Sequence, residues 1–345
     1  MAFLIVTLGL LLSSNLIAAN SVSYSAAKAS SLWTNDEDET CVGKFQSPID
    51  IEENNVELAS YPNLEFSTLQ KPHKAVIMNN GHTVMIHNSD SEPLEISGAS
   101  LNSTYVFEQL HFHWGNNDSL GSEDLINNNS YSMEMHAVFW KKAYGTYDEA
   151  LKQDDGLSVL GYWYEATNDA NPLFDLIVPQ ISEIKKAGSN KVLKDNDIVS
   201  KLIAPDLASA QDYFTYKGSL TTPPCLEIVQ WIDFAKPQHI SHEQLSVFRS
   251  IQDFDNKEVT HNFRPVQPLD GRTVYRNVRD TQSTVTPVLA KKPEMSPPAP
   301  KNLNANTLEE APVDNKKDNE HSGASMWTVS PFAVILATTL VLPYQ

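Results

Sequence analysis

The feature that most restricts this chain is a rhythm of short apolar runs. From Ser21 to about Asp280, stretches rich in β-branched and aromatic residues alternate with Gly, Pro, Asn and Ser. Examples are KAVIMNNGHTVMIHN (74–88), TYVFEQLHFHWG (104–115), MEMHAVFWKK (133–142), LSVLGYWYEA (157–166) and EIVQWIDFA (227–235). Runs of this length bounded by turn formers are strands, so residues 21–280 read as one β-rich domain. Helical spacing is sparse. The two best segments are NPLFDLIVPQISEIKKAG (171–188) and SHEQLSVFRSI (241–251), the second with Ser241 and Gln244 at capping-box spacing. No internal repeat is present.

Both ends differ from this domain. Residues 1–19 form an apolar stretch ending in small residues, the pattern of a secretory signal cleaved near Ala19, although a basic n-region is missing. Residues 281–321 are rich in Pro, Asn and Lys and poor in large apolar side chains. Such a segment cannot bury enough surface to offset chain entropy and is expected to form a disordered stalk. In 322–345, the small residues Ser322 and Gly323 precede a short spacer and an apolar tail with no basic flank. That layout favours a glycosylphosphatidylinositol signal over a spanning helix. The expected location is the extracellular face of the plasma membrane, with attachment through a lipid anchor. In that oxidising setting Cys41 and Cys225 are expected to pair, and Asn102, Asn117 and Asn128 lie in acceptor sequons. A formal net charge of −18 argues against a nucleic-acid partner.

Within the domain, HFHWG (111–115) places His111 and His113 two apart. On a strand these share a face. A polar strand face would account for the pair alone, so further ligands are needed to decide. His136 in MEMHAVFW supplies a third imidazole, with Glu134 two residues before it; Gln109 stands in the same relation to His111. A polar group beside a ligating histidine takes its second ring N–H and fixes the tautomer. Zn²⁺ held by three protein ligands keeps a fourth position open for catalysis. Three neutral imidazoles leave the dication uncompensated, which acidifies bound water. The residues thus predict a secreted zinc hydrolase or hydratase.

At these residues the chain resembles the alpha-class carbonic anhydrases. The likeness spans most of residues 24–280 and includes FQSPIDI (45–51), NNGH (79–82), QLHFHWG (109–115), GSED (121–124), MEMHAVFW (133–140), DGLSVLG (155–161), GSLTTPPC (218–225) and NFRPVQPL (262–269). It implies a mainly β (α+β) fold, a large twisted and mostly antiparallel sheet with peripheral helices. It also implies reversible hydration of CO₂ to bicarbonate and a proton, with Zn²⁺ on His111, His113 and His136 and with Gln109 and Glu134 orienting ligands. By the same resemblance Thr221 passes its hydroxyl proton toward Glu123, and Thr222 lies beside substrate. Val138, Val159, Leu220, Val229 and Trp231 form an apolar wall for uncharged CO₂. His82 is the proton shuttle, with Asn80 beside it and Tyr24 near the N-terminus. Cys41 and Cys225 match the positions bridged in secreted members.

The chain also departs from the family. AAKASSLW (26–33) stands where members carry a Gly-Pro pair, Met85 stands where many have a polar residue on the water path, and Asp124 replaces a histidine common in vertebrate members. A rival reading is a binding or adhesion module that has lost its zinc. Such a protein should lack a ligand histidine, and this chain keeps all three. A zinc esterase or matrix mineralisation protein would share the site and differ in biology.

Overall fold

The computed structural model describes residues 41–277 apart from 68, 70–72, 90–92, 196 and 205–210. The signal, stalk and anchor expectations, with Tyr24, Ser322 and Gly323, lie outside the described residues. The strands in chain order begin with β1 (Asp50–Ile51), β2 (Glu57–Ala59), β3 (Glu65–Ser67), β4 (Ala75–Asn79) and β5 (Val84–Asn88). There follow β6 (Glu95–Ser97), β7 (Tyr105–Trp114), β8 (Leu125–Ile126), β9 (Met133–Lys141) and β10 (Leu157–Thr167). The last are β11 (Asn190–Val192), β12 (Tyr213–Gly218), β13 (Val229–Phe234), β14 (Gln238–Ser241) and β15 (Tyr275–Asn277). Among the described residues thirteen of these strands form one sheet, with spine β11-β4-β5-β7-β9-β10-β13-β12-β15-β2; β3, β6 and β14 lie off that path. Most neighbours run antiparallel, while β13 and β14 both lie parallel to β10, and β15 to β2. β1 and β8 make a separate parallel pair.

Period-two alternation gives this sheet two cores. Leu110 and Phe112 of β7, Met133, Met135, Ala137 and Phe139 of β9, and Leu160, Tyr162 and Tyr164 of β10 all enter one large cluster. The intervening Val138, Val159, Trp163 and Trp231 enter a second cluster on the opposite face. Each fully buried large side chain contributes about 1.5–3 kcal/mol by leaving water, so a one-residue slip of register would cost many such terms at once.

Helices α1 (Tyr147–Ala150), α2 (Val178–Glu183), α3 (Ile198–Ile203) and α4 (His242–Arg249) are short. α4 forms where its spacing predicts, with the Ser241–Gln244 capping box closed in both directions. Its Phe248 packs at 5.0 Å from Phe112 and 5.6 Å from Trp114, covering the main core. The helix expected over 171–188 is broken: a 3₁₀ turn at Phe174–Leu176 precedes α2, which carries Pro179 in its first turn. Proline lacks the N–H that a helix interior needs, so the α-helix starts there and does not run through. Cys41 and Cys225 are disulfide-bonded across a sequence separation of 184, as expected. The bridge reaches the turn that carries Thr221 and Thr222, where the Cys225 N–H donates to the Thr222 carbonyl at 2.9 Å.

Candidate metal centre

β7 and β9 lie side by side in a register that pairs His111 with His136 and His113 with Glu134. Directly paired residues project to the same side of a sheet, so the alternate histidines of β7 and the single histidine of β9 meet on one face. One ring nitrogen from each of His111, His113 and His136 lies within 4.8 Å of the other two.

The remaining nitrogens show which atoms these are. Nδ1 of His111 bonds Oε1 of Gln109 at 2.9 Å, Nδ1 of His113 bonds the Asn262 carbonyl at 3.0 Å, and Nε2 of His136 bonds Oε1 of Glu134 at 2.8 Å. All three partners accept, so each of these nitrogens carries the ring proton. Nε2 of His111, Nε2 of His113 and Nδ1 of His136 are left unprotonated and converge. Nε2 of His113 is buried with no hydrogen-bond partner among the described residues. Burial holds the His111 and His136 rings well below the usual histidine range, reinforced by neighbouring imidazoles, and lowers His113 as well. Neutral imidazole is the ligating form. Three convergent, pre-oriented nitrogens fit Zn²⁺ in a site with one open position. The structure brings the three histidines together and sets Gln109 and Glu134 against two of them; the Asn262 carbonyl is a third acceptor. It lay in one of the resembling blocks, but a backbone acceptor leaves no trace in residue type.

Glu134 is fully buried. Its second oxygen accepts from the Glu123 and Asp124 N–H groups at 2.8 and 3.0 Å, so both oxygens are engaged. Glu123 is also buried. It accepts from the Arg264 N–H at 2.6 Å and from the Thr221 hydroxyl; burial pushes its carboxyl well above the usual range, and these two bonds offset that push only in part. Thr221 and Glu123 are therefore brought together beside the histidines, with Glu123 Oε1 3.4 Å from Nδ1 of His113. Arg264 was not singled out by the sequence, because here too the backbone does the work.

Val138, Val159 and Trp231 form a cross-strand row over β9, β10 and β13. With buried Val229 and half-buried Leu220 they make one apolar surface, and the Trp231 ring centroid lies 4.8 Å from that of His136. Thr222 is exposed. His82 sits half-buried in the β4–β5 loop, where the Asn80 side chain accepts from the His82 and Thr83 N–H groups at 2.9 and 2.8 Å. Gly81, at φ 89°, allows this turn. Burial lowers the His82 ring, and Asp253 partly offsets the effect. Met85 pairs directly with His111 and so does occupy the site face.

Asp124 is fully buried and takes the Ile49 N–H at 2.6 Å and the Tyr216 hydroxyl at 3.1 Å. Its carboxyl lies within 4.8 Å of those of Glu134 and Asp233. Asp233 is a second feature that the sequence did not single out, since an acidic residue within an apolar strand carries no motif.

The profile of eukaryotic-type carbonic anhydrase matches residues 28–278. Carbonic anhydrase 3 of Rattus norvegicus is 33% identical over 212 residues, which cover 61% of this chain and 78% of the relative. Carbonic anhydrase 7 of Mus musculus is 37% identical over 179 residues, covering 51% of this chain and 65% of that protein.

Proposed function

Since the chain belongs to the eukaryotic-type carbonic anhydrase family, a family of zinc lyases, we propose that it hydrates CO₂ reversibly to bicarbonate and a proton outside the cell, held at the membrane by a lipid anchor. The observation that carries the catalytic part is the set of three converging, unprotonated ring nitrogens, each fixed by an acceptor on its other side.

Zn²⁺ held by His111, His113 and His136 would supply positive charge and Lewis acidity. The protein's residues do the rest. Gln109, Glu134 and the Asn262 carbonyl hold the three rings in the ligating tautomer. Glu123 accepts the Thr221 hydroxyl proton, which leaves the Thr221 oxygen to accept from a donor on the metal side. Val138, Val159, Leu220, Val229 and Trp231 offer uncharged CO₂ an apolar surface and exclude water. Thr222, next to Thr221 and exposed, is suited to hydrogen-bond bicarbonate. His82 takes up the released proton and passes it to buffer.

The disulfide supports the extracellular part of the reading, because such bonds persist in oxidising compartments. Asn102, Asn117 and Asn128 are all exposed, as glycosylated residues must be. Residues 1–19 as signal, 281–321 as stalk and 322–345, with Ser322 or Gly323 as attachment site, complete the proposal.

Two measurements test it. Zinc analysis joined to stopped-flow CO₂ hydration should find one zinc per chain and fast turnover; an inactive, zinc-free protein would favour the adhesion-module reading. Phosphatidylinositol-specific phospholipase C should release the protein from cells. Retention in the membrane fraction with residues 327–345 still attached would overturn the anchor.

A further inference from the structure

CO₂ + H₂O → HCO₃⁻ + H⁺ leaves one proton per turnover to be carried away, and the following inference rests on that reading of the activity. β5 sends Val84 and Ile86 into the main core with no exposure, while Met85 and His87 on its other face are half-buried. The same division holds on the flanking strands. Ala75 and Ile77 of β4 and Leu110 and Phe112 of β7 are fully buried, whereas Val76, Met78, Gln109 and His111 are half-buried. This part of the site face therefore opens to water.

The register places His87 within it. Met85 lies opposite His111 and His87 lies opposite Gln109. Directly opposed side chains start about 4.5–5.5 Å apart and diagonal ones about 7–8 Å. His87 thus stands beside Gln109, which bonds Nδ1 of His111 at 2.9 Å, and one diagonal step from that ligand. From the other side β4 presents Val76 opposite His87 and Met78 opposite Met85. Glu108, in the bulge before Gln109, is hydrogen-bonded to Trp140 instead. Directly opposite His87 stand Val76 from β4 and Gln109 from β7, with His111 of β7 and Lys74, just before β4, on the diagonals, and none of these carries a negative charge. Met85 places a thioether along β5 between His82 and His87, opposite the ligand itself. The polar side chains on this row are His87 and Gln109.

We propose that His87 is a second proton acceptor of this enzyme, working in parallel with His82. An imidazole nitrogen lone pair takes the proton through intervening water, forming imidazolium, and returns it to a buffer base; no other bond changes. Burial lowers the basicity of the ring, which favours the neutral, accepting form and eases the later release of the proton to buffer.

The test uses His82→Ala, His87→Gln and the double variant, each zinc-loaded, in weak and in strong buffer. His82→Ala should keep a measurable share of maximal turnover in weak buffer, and the double variant should fall on the order of 10²-fold below wild type. kcat/KM should hold throughout, and added imidazole should restore turnover. Histidine ring NMR of the zinc-free full-length protein should also show a resonance, lost in His87→Gln, that titrates below the ordinary histidine midpoint. A double variant no slower than His82→Ala, or a His87 ring that never titrates before acid unfolding, would overturn the proposal. A wild-type protein that binds zinc but hydrates no CO₂ would overturn the activity itself, and this role with it.

Discussion

Oε1 of Glu134 lies 2.8 Å from Nε2 of His136, and this bond turns the other nitrogen of that ring toward the metal position. His111 and His113 are held by Nδ1 instead, so the three rings meet through two Nε2 atoms and one Nδ1. Glu134 is itself held in place by accepting from two backbone N–H groups with its other oxygen.

Glu134→Gln should therefore do more than remove a charge. An amide has one accepting atom, whereas the carboxylate here accepts on both. One donor, the His136 ring or the backbone pair, would face the new NH₂ group. Zinc affinity should fall about 10–100-fold, and stability by about 1–3 kcal/mol for the unsatisfied donor. Chelator competition and urea unfolding measure the two losses. Wild-type values in both would show that Glu134 does not orient His136.

Thr221→Val keeps the shape of the side chain and deletes the hydroxyl that Glu123 accepts. Hydration kcat/KM should drop roughly 10²-fold, with zinc content unchanged. Thr221→Ser should recover most of it. If valine and serine behave alike, the hydroxyl has no part in the reaction.

Asp233 sits over Gly161, where a Cβ would lie 2.2 Å from its Oδ1, and both of its oxygens are buried with no hydrogen-bond partner among the described residues. Burial and neighbouring carboxylates push Asp233 and Asp124 well above the usual range. The folded chain then keeps protons that the unfolded chain releases near pH 4. Because the native state binds more protons, stability falls as pH rises from about 4 toward the folded pKa, by up to about 1.4 kcal/mol per pH unit for each retained proton. Asp233→Asn should flatten that slope. Urea midpoints at several pH values between 5 and 8, with zinc saturating in both proteins, make the comparison. Parallel slopes would mean that Asp233 holds no proton.

Cys41→Ser opens a bridge between residues separated by 184 positions. Losing a link of that span should cost about 2–5 kcal/mol, near the upper limit of the chain-entropy range. Since Cys225 adjoins the Thr221 turn, hydration activity should weaken before global unfolding. Denaturation followed by both fluorescence and activity would reveal the gap. Coincident curves would confine the bridge to overall stability.

The sequence by itself determined which residues alternate, and much followed from that. Period-two runs set the strands of a two-faced sheet, the spacing of His111 with His113 put both on one face, and Gln109 and Glu134 could be read as orienters because two residues along a strand is one step on a face. Ser241 and Gln244 announced α4 through a local exchange of hydrogen bonds. Each of these rests on near neighbours in the chain, where geometry is nearly fixed by backbone type.

Tertiary structure alone decided what comes from afar. The register of β7 against β9 brought His136 to His111, and the 262–264 segment returned across about 150 residues to offer a carbonyl to His113 and an N–H to Glu123. It also gathered Asp124, Glu134 and Asp233 into one buried group. Backbone donors and acceptors are the same in every residue, and the approach of distant strands depends on the summed packing of two cores. Neither leaves a mark in the identity of the residue that finally makes the contact.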